Sequence, residues 1–275
     1  MILIGPGSVR QENPVGPVTD KMSGHLSPAP FDGPGLGHAS NVEHGVTVPH
    51  MDLMIHNDPR SVAAAAAERI AGLVASADGK RFSLGLAGGS TPGTTYAALR
   101  EHPTDWSNVD AWLSDERWVP HHHDRSNGRQ AAEALLDHVH ATFHRPVWNE
   151  HDPEISAASY EAQIRSIHPG RLPELVLLGM GHDGHTASLF PGTAALNERE
   201  RWVVANEVPQ HRETRITATY PLLWAAEHVI FLVVGAGKAE ALRDSFAGKT
   251  PAGKVGEGDA QVEWHVDTAA ASLLS

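Results

Sequence analysis

Cysteine is absent from the 275 residues. That excludes a disulfide scaffold, a thiolate metal site and a cysteine nucleophile. Positive charge is scarce. Lys and Arg number 21 against 33 Asp and Glu, a formal net charge of −12. A nucleic-acid surface needs a basic footprint, so DNA and RNA are excluded as general partners. A small anionic ligand would need local cations working against the overall field. Long hydrophobic runs are also missing, with nothing near the roughly 18 apolar residues of a membrane span. Met1–Ile4 is apolar but is followed by Gly5 and Pro6. With neither a basic n-region nor a long apolar stretch, it does not read as a signal peptide. The expectation is a cytoplasmic protein with no membrane partner. Histidine, in contrast, is abundant at 19. Metal, catalysis and mere compositional habit are the three readings of that excess.

A chain of this length makes one large domain or two small ones. Residues 1–50 stand apart, with eight Gly, seven Pro and a single aromatic, Phe31. So little apolar surface does not offset ordering entropy, and a disordered tail is expected there. The folded domain is placed at 51–275. Asp58-Pro59 marks a helix start, with Val62, Ala66, Ile70 and Leu73 at helical spacing and Gly72 and Gly79 bracketing its end. Short apolar runs follow at Phe82–Leu86, Val109–Leu113, Leu175–Leu178 and Val229–Val234. Each leads into a polar or glycine-rich loop and then a helical pattern. That alternation predicts an α/β fold: a mostly parallel, Rossmann-like sheet with flanking helices in a single globular domain. Ligands in such folds bind beyond the carboxyl ends of the strands, so the four loops should converge.

The first loop contains Gly88-Gly89-Ser90-Thr91-Pro92. Its glycines allow close backbone approach, Ser90 or Thr91 can cap the next helix, and Pro92 suits the first turn. The combination suits an anion, most simply phosphate. It matches neither GxxxxGK[ST] nor GxGxxG, which disfavours nucleotides. An ordinary glycine-rich turn is the plainer reading. The second loop, Ser114-Asp115-Glu116-Arg117, is followed by Ser126-Asn127. It can bind sugar hydroxyls, orient a base or clamp an anion through Arg117. Taken alone, it reads as a solvated loop with a surface ion pair.

The third loop, Gly179-Met180-Gly181-His182-Asp183-Gly184-His185-Thr186, is hard to explain by packing. Asp183 lies two residues from His185 and can orient its imidazole, making His185 a candidate general base. Metal ligation by His182 and His185 lacks the HExxH spacing and a third ligand. The His121–His123 run reads as a solvated loop. Lys238 follows a glycine turn after a strand and can reach an anion held by the first loop. Arg215 sits where an apolar helical pattern is taken to begin, and Arg212 has no preferred role.

Together these residues resemble the bacterial 6-phosphogluconolactonases, within the wider group that includes glucosamine-6-phosphate deaminase. The resemblance spans residues 52–272. It rests on LAGGSTP (86–92), SDERWVP (114–120) with SN (126–127), GMGHDGHTASLFPGT (179–193), RITATYPLL (215–223) and FLVVGAGKAEAL (231–242). It implies hydrolysis of 6-phospho-glucono-1,5-lactone, a small sugar-phosphate substrate, with no metal and no organic cofactor. It implies that His185 activates water beside Asp183, and that Asp115 and Arg117 shape the lactone pocket. It implies that Gly89, Ser90, Arg215 and Lys238 lie at the sugar phosphate; Gly88, Thr91 and Asn127 are expected to bind substrate with them. The deaminases carry Phe-Asn-Glu where this chain has Ala187-Ser188-Leu189-Phe190, so an acid needed for isomerase chemistry is missing. The departures are Ala87, where Ser is often found, and Gln210-His211, in a stretch usually richer in Lys and Pro. A sugar-phosphate isomerase or deaminase, and a non-catalytic sensor, are the competing readings. The expected assembly is a monomer or small homo-oligomer.

Overall fold

The computed structural model describes residues 51–148 and 152–274. The tail expected at 1–50 lies outside the described residues. The strands are β1 (Met51–His56), β2 (Phe82–Leu86), β3 (Val109–Leu113), β4 (Asp115–Arg117), β5 (Thr142–His144), β6 (Leu175–Gly179), β7 (Val203–Val208), β8 (Glu213–Ala218), β9 (His228–Val233) and β10 (Gln261–Asp267). The helices are α1 (Pro59–Ser76), α2 (Ser90–Leu99), α3 (Asn127–Ala134), α4 (Pro153–Ile167), α5 (Tyr220–Trp224) and α6 (Ala239–Phe246).

Seven strands form one sheet in the order β1-β10-β9-β6-β2-β3-β5, with every pairing parallel. Parallel strands need both faces covered, and the side-chain alternation provides this. Leu175, Leu177, Ile230 and Leu232 join the core that contains the buried face of α1 and α2. Val176, Leu178, Val229, Phe231 and Val233 join the other core, with residues of α4 and α6. From β2 the chain builds outward through β3 and β5, then returns to the other side of β2 with β6. The strand order therefore reverses between β2 and β6, the position where open α/β sheets bind ligands.

Asp58 caps α1 as expected, accepting from Ser61 N at 2.8 Å. Val62, Ala66, Ile70 and Leu73 are all buried. Gly72 lies inside the helix rather than at its end; Asp78 (φ 50°) and Gly79 (φ 75°) make the turn. Two other expectations are corrected. Neither Ser90 nor Thr91 caps α2 through its side chain; Gly89, at φ 113°, occupies the cap position. Arg215 lies in a strand, not at a helix start. β8 pairs antiparallel with β7 and β4 in a second, three-stranded sheet. Ile216 and Ala218 face the core on alternate positions, and the helical pattern begins only at Tyr220.

Candidate active site

The four loops do converge. A pocket of about 390 Å³ at the switch point is lined by Gly88–Thr91, Asp115, Arg117, Asn127, Gly179–His182, His185, Arg215 and Lys238, among others. Of the candidate residues, only Asp183 is not on its lining, and it sits directly behind His185. A second hollow of about 460 Å³ lies beside α1 near the opposite ends of β2 and β3. None of the candidate residues reaches it.

The loop after β2 is fixed from both sides. The Tyr96 hydroxyl accepts from Ala87 N at 2.9 Å and donates to Ala87 O at 2.7 Å. Gly88 lies so close to the Asn127 amide that a Cβ there would overlap it. No side chain caps the following helix, so its first N–H groups face the pocket mouth uncapped. Lys238 enters from the β9 loop. The buried Asp267 carboxylate holds Gly235 N at 2.9 and 3.0 Å, fixing the start of that loop. Burial pushes the Lys238 pKa down, while the Asp183 charge pulls it back up.

The loop after β6 folds into a closed turn. Gly181 N donates to His185 O at 2.8 Å, and His185 Nδ1 meets Asp183 Oδ1 at 2.6 Å. A side chain at Gly181 would overlap the imidazole. The His185 ring stacks on Phe190 at 3.8 Å between centroids. With Nδ1 committed to Asp183, Nε2 carries the available lone pair. Burial lowers the His185 pKa, and the charges of Asp183 and Asp115 oppose this without overcoming it. Neutral imidazole is therefore the resting form near pH 7. Burial works against the Asp183 charge as well, but His185 and its hydrogen bonds hold that carboxyl below its ordinary value.

The reading of residues 114–117 as a solvated loop is overturned. Asp115 and Glu116 are buried strand residues at 7% and 4% exposure. Asp115 accepts from Ser188 Oγ at 2.6 Å and Asn127 Nδ2 at 3.0 Å. Asp183, not Asp115, is thus the carboxylate that holds the imidazole. Arg117 lies opposite Arg215 across the β4–β8 pair. Two guanidinium groups side by side repel, and their surroundings separate their roles. Arg215 is bonded to Glu213 and lies 3.7 Å from Asp115. Arg117 donates to the Arg125 carbonyl at 2.6 Å and has no carboxylate at ion-pair distance among the described residues.

Several residues at the site were given no role from sequence. Phe190 supports His185 and has the Arg215 guanidinium 5.3 Å from its ring centroid. Its only sequence signal is an aromatic five residues beyond His185. Glu213 shares a strand face with Arg215, an i, i+2 relation visible only once the segment is read as a strand. His211, on the β7–β8 turn, lines the pocket and meets Phe190 edge-on. Arg212 is exposed beside it at φ 51°. His182 sits exposed at the rim. No group of three or more His, Asp or Glu suited to a metal ion occurs among the described residues. No described helix is long and apolar enough to cross a membrane.

Comparison with known proteins places the chain in a family. The family profile described as glucosamine-6-phosphate isomerases/6-phosphogluconolactonase matches residues 57–264. The 6-phosphogluconolactonase of Nostoc sp. is 41% identical over 175 residues, covering 61% of this chain and 72% of that protein. The 6-phosphogluconolactonase of Haemophilus influenzae is 31% identical over 203 residues, covering 70% and 87%. The solved 6-phosphogluconolactonase of Trypanosoma brucei superposes with a TM-score of 0.74 at 26% identity, covering 82% of this chain and 98% of that one. The chain belongs to the glucosamine-6-phosphate isomerase/6-phosphogluconolactonase family.

Proposed function

We propose that the protein hydrolyses 6-phospho-D-glucono-1,5-lactone to 6-phosphogluconate, the second step of the oxidative pentose phosphate pathway. The observation that carries this reading is the Asp183–His185 pair, joined at 2.6 Å on one side of a pocket that also holds an uncapped helix N-terminus and Lys238. A sensor of sugar phosphates needs the second feature but not the first. The substrate is an anion that does not cross membranes unaided, which fits a cytoplasmic setting.

In this mechanism the phosphate rests on the Gly88–Thr91 backbone, with Lys238 as its main counter-ion. Arg215 contributes less charge, because Glu213 and Asp115 already share its guanidinium. Asn127 shapes this end of the pocket. Holding the phosphate fixes the ring for attack. His185 Nε2 takes a proton from water as the water oxygen attacks the lactone carbonyl. Asp183 stabilises the imidazolium. Arg117, or a backbone N–H of a glycine turn, donates to the developing oxyanion. Collapse breaks the bond from the acyl carbon to the ring oxygen, and His185 returns the proton to that oxygen. Water has then been added across one ester bond, giving a hydroxyl and a carboxylic acid, which ionises to the carboxylate by releasing its proton to solvent. No metal, organic cofactor or covalent intermediate is required.

The direct test generates the lactone in situ and follows its loss by NMR against spontaneous hydrolysis. Clear acceleration is expected, with no fructose-6-phosphate formed from glucosamine-6-phosphate. No acceleration by folded protein would end the lactonase reading. Lys238→Ala removes a charge-assisted contact worth about 1.5–3 kcal/mol. Titration calorimetry with 6-phosphogluconate should therefore show roughly 10- to 100-fold weaker binding, with kcat changed much less. Unchanged affinity would place the phosphate elsewhere.

A further inference from the structure

Glu116 does not line the pocket, yet its surroundings are unusual. The side chain is buried, with no cation at ion-pair distance among the described residues. It accepts four hydrogen bonds. Oε1 takes Arg117 N at 2.8 Å and Asn127 N at 2.7 Å. Oε2 takes Ser126 Oγ and Gly128 N, both at 2.8 Å. Three of the partners are backbone N–H groups that can only donate, and the fourth is a hydroxyl that can donate as well, so an ionised carboxylate accepts from all four. Burial pushes the Glu116 pKa up, and these hydrogen bonds oppose it. Burying a charge without a counter-ion is expensive, and such a group contributes geometry more readily than stability. Glycine at 128 permits the close approach, since a Cβ there would stand 3.0 Å from Oε2.

The geometry is passed on through Asn127. Its backbone is held by Glu116, and its Nδ2 donates to Asp115 O at 2.8 Å and to Asp115 Oδ1 at 3.0 Å. Its Oδ1 rests against Gly88. One side chain therefore touches both the pocket carboxylate and the loop proposed to carry phosphate.

We infer that Glu116 is a positioning residue: it ties β4 to residues 126–128 and, through Asn127, sets the Asp115 carboxylate and the Gly88–Thr91 loop together. The inference rests on the pocket assignments made under the proposed function. Its effect on anion binding is measurable whether or not the lactone is the substrate.

The test uses Glu116→Gln, which keeps the size but turns an amide NH₂ toward donors. Inorganic phosphate binding is followed by ³¹P NMR, lactone turnover by the NMR assay, and folding by thermal melting and circular dichroism. Expected are phosphate binding at least 10-fold weaker, a raised KM and a lowered kcat in a folded protein. The effect should merge with that of Asn127→Ala, the double variant being no worse than Asn127→Ala alone. Binding and turnover within twofold of wild type would overturn the inference, as would additive effects of the two substitutions. If Glu116→Gln does not fold, Ser126→Ala removes one of the four donors, and a several-fold loss of phosphate affinity is expected from it; wild-type affinity there would equally overturn the inference. Phosphate binding that responds to Glu116 in a wild type without lactone turnover would retain the positioning role and reject the lactonase.

Discussion

His185→Ala should lower kcat for the lactone by about 10²- to 10⁴-fold, the range of a lost general base. Affinity for 6-phosphogluconate should change only a few-fold, since the phosphate contacts lie elsewhere in the pocket. Steady-state kinetics beside calorimetry reads both, and near-normal turnover would remove the base assignment. The pH dependence carries the same information. A base works only when neutral, so wild-type kcat/KM should fall as the pH drops through the His185 pKa. Burial holds that pKa below the ordinary histidine value, so full activity should persist at and somewhat below neutrality. The variant should lose this acid limb. A wild-type profile that keeps its activity well into the acid range would point to a different base.

Gly181→Ala should be nearly as damaging, although it changes no chemical group. Gly181 is not among the positive-φ positions, so alanine suits its backbone. The difficulty is space. The added methyl would overlap the His185 ring and stand 2.5 Å from Asp183 Oδ1. The imidazole must swing away, breaking its bond to Asp183 and its stack on Phe190. Displacement of a reacting group by about 1 Å can cost roughly 10²-fold in rate. A kcat loss of that order or more is expected, with the melting temperature changed far less than the activity. Loss of the wild-type His185 imidazole ¹⁵N shifts would locate the damage. Unaltered kcat would mean that the Asp183–His185 geometry is unimportant.

The alternation of apolar runs and glycine-rich loops was enough to infer the parallel sheet and the convergence of its loops. That signal is local, and each run is longer than the ambiguity at its ends. Arg215 was misplaced because ETRITA reads either as a strand or as the beginning of the apolar pattern that continues through Tyr220 and Leu222. Only its pairing with β7 and β4 decides the matter, and pairing is not local. The support of His185 by Phe190 follows a sharp turn in which Ala187 takes φ 46°, which no periodicity announces. Glu116 looked like a surface charge because its four donors come from the next residue and from a segment ten residues on. The histidine excess gave least. Four of the 19 lie in residues 1–50, and His185 alone is proposed to carry chemistry.

The sheet order has a consequence in time. β1 pairs only with β10, and His56 meets His265 across 209 residues of chain. At ordinary rates of synthesis that interval lasts roughly 10 to 40 s. Throughout it, the first strand has no partner, and Met51 and Met54 lack the cover that half-buries them in the folded protein. β10 also brings Asp267, which holds Gly235 and so the loop of Lys238. The bonds within the turn around His185 are local in sequence, whereas the Lys238 loop waits for Asp267. The cationic half of the anion grip is thus the last part of the pocket to be fixed, and a chain cut short of Gln261 would lack the carboxylate that holds the Lys238 loop.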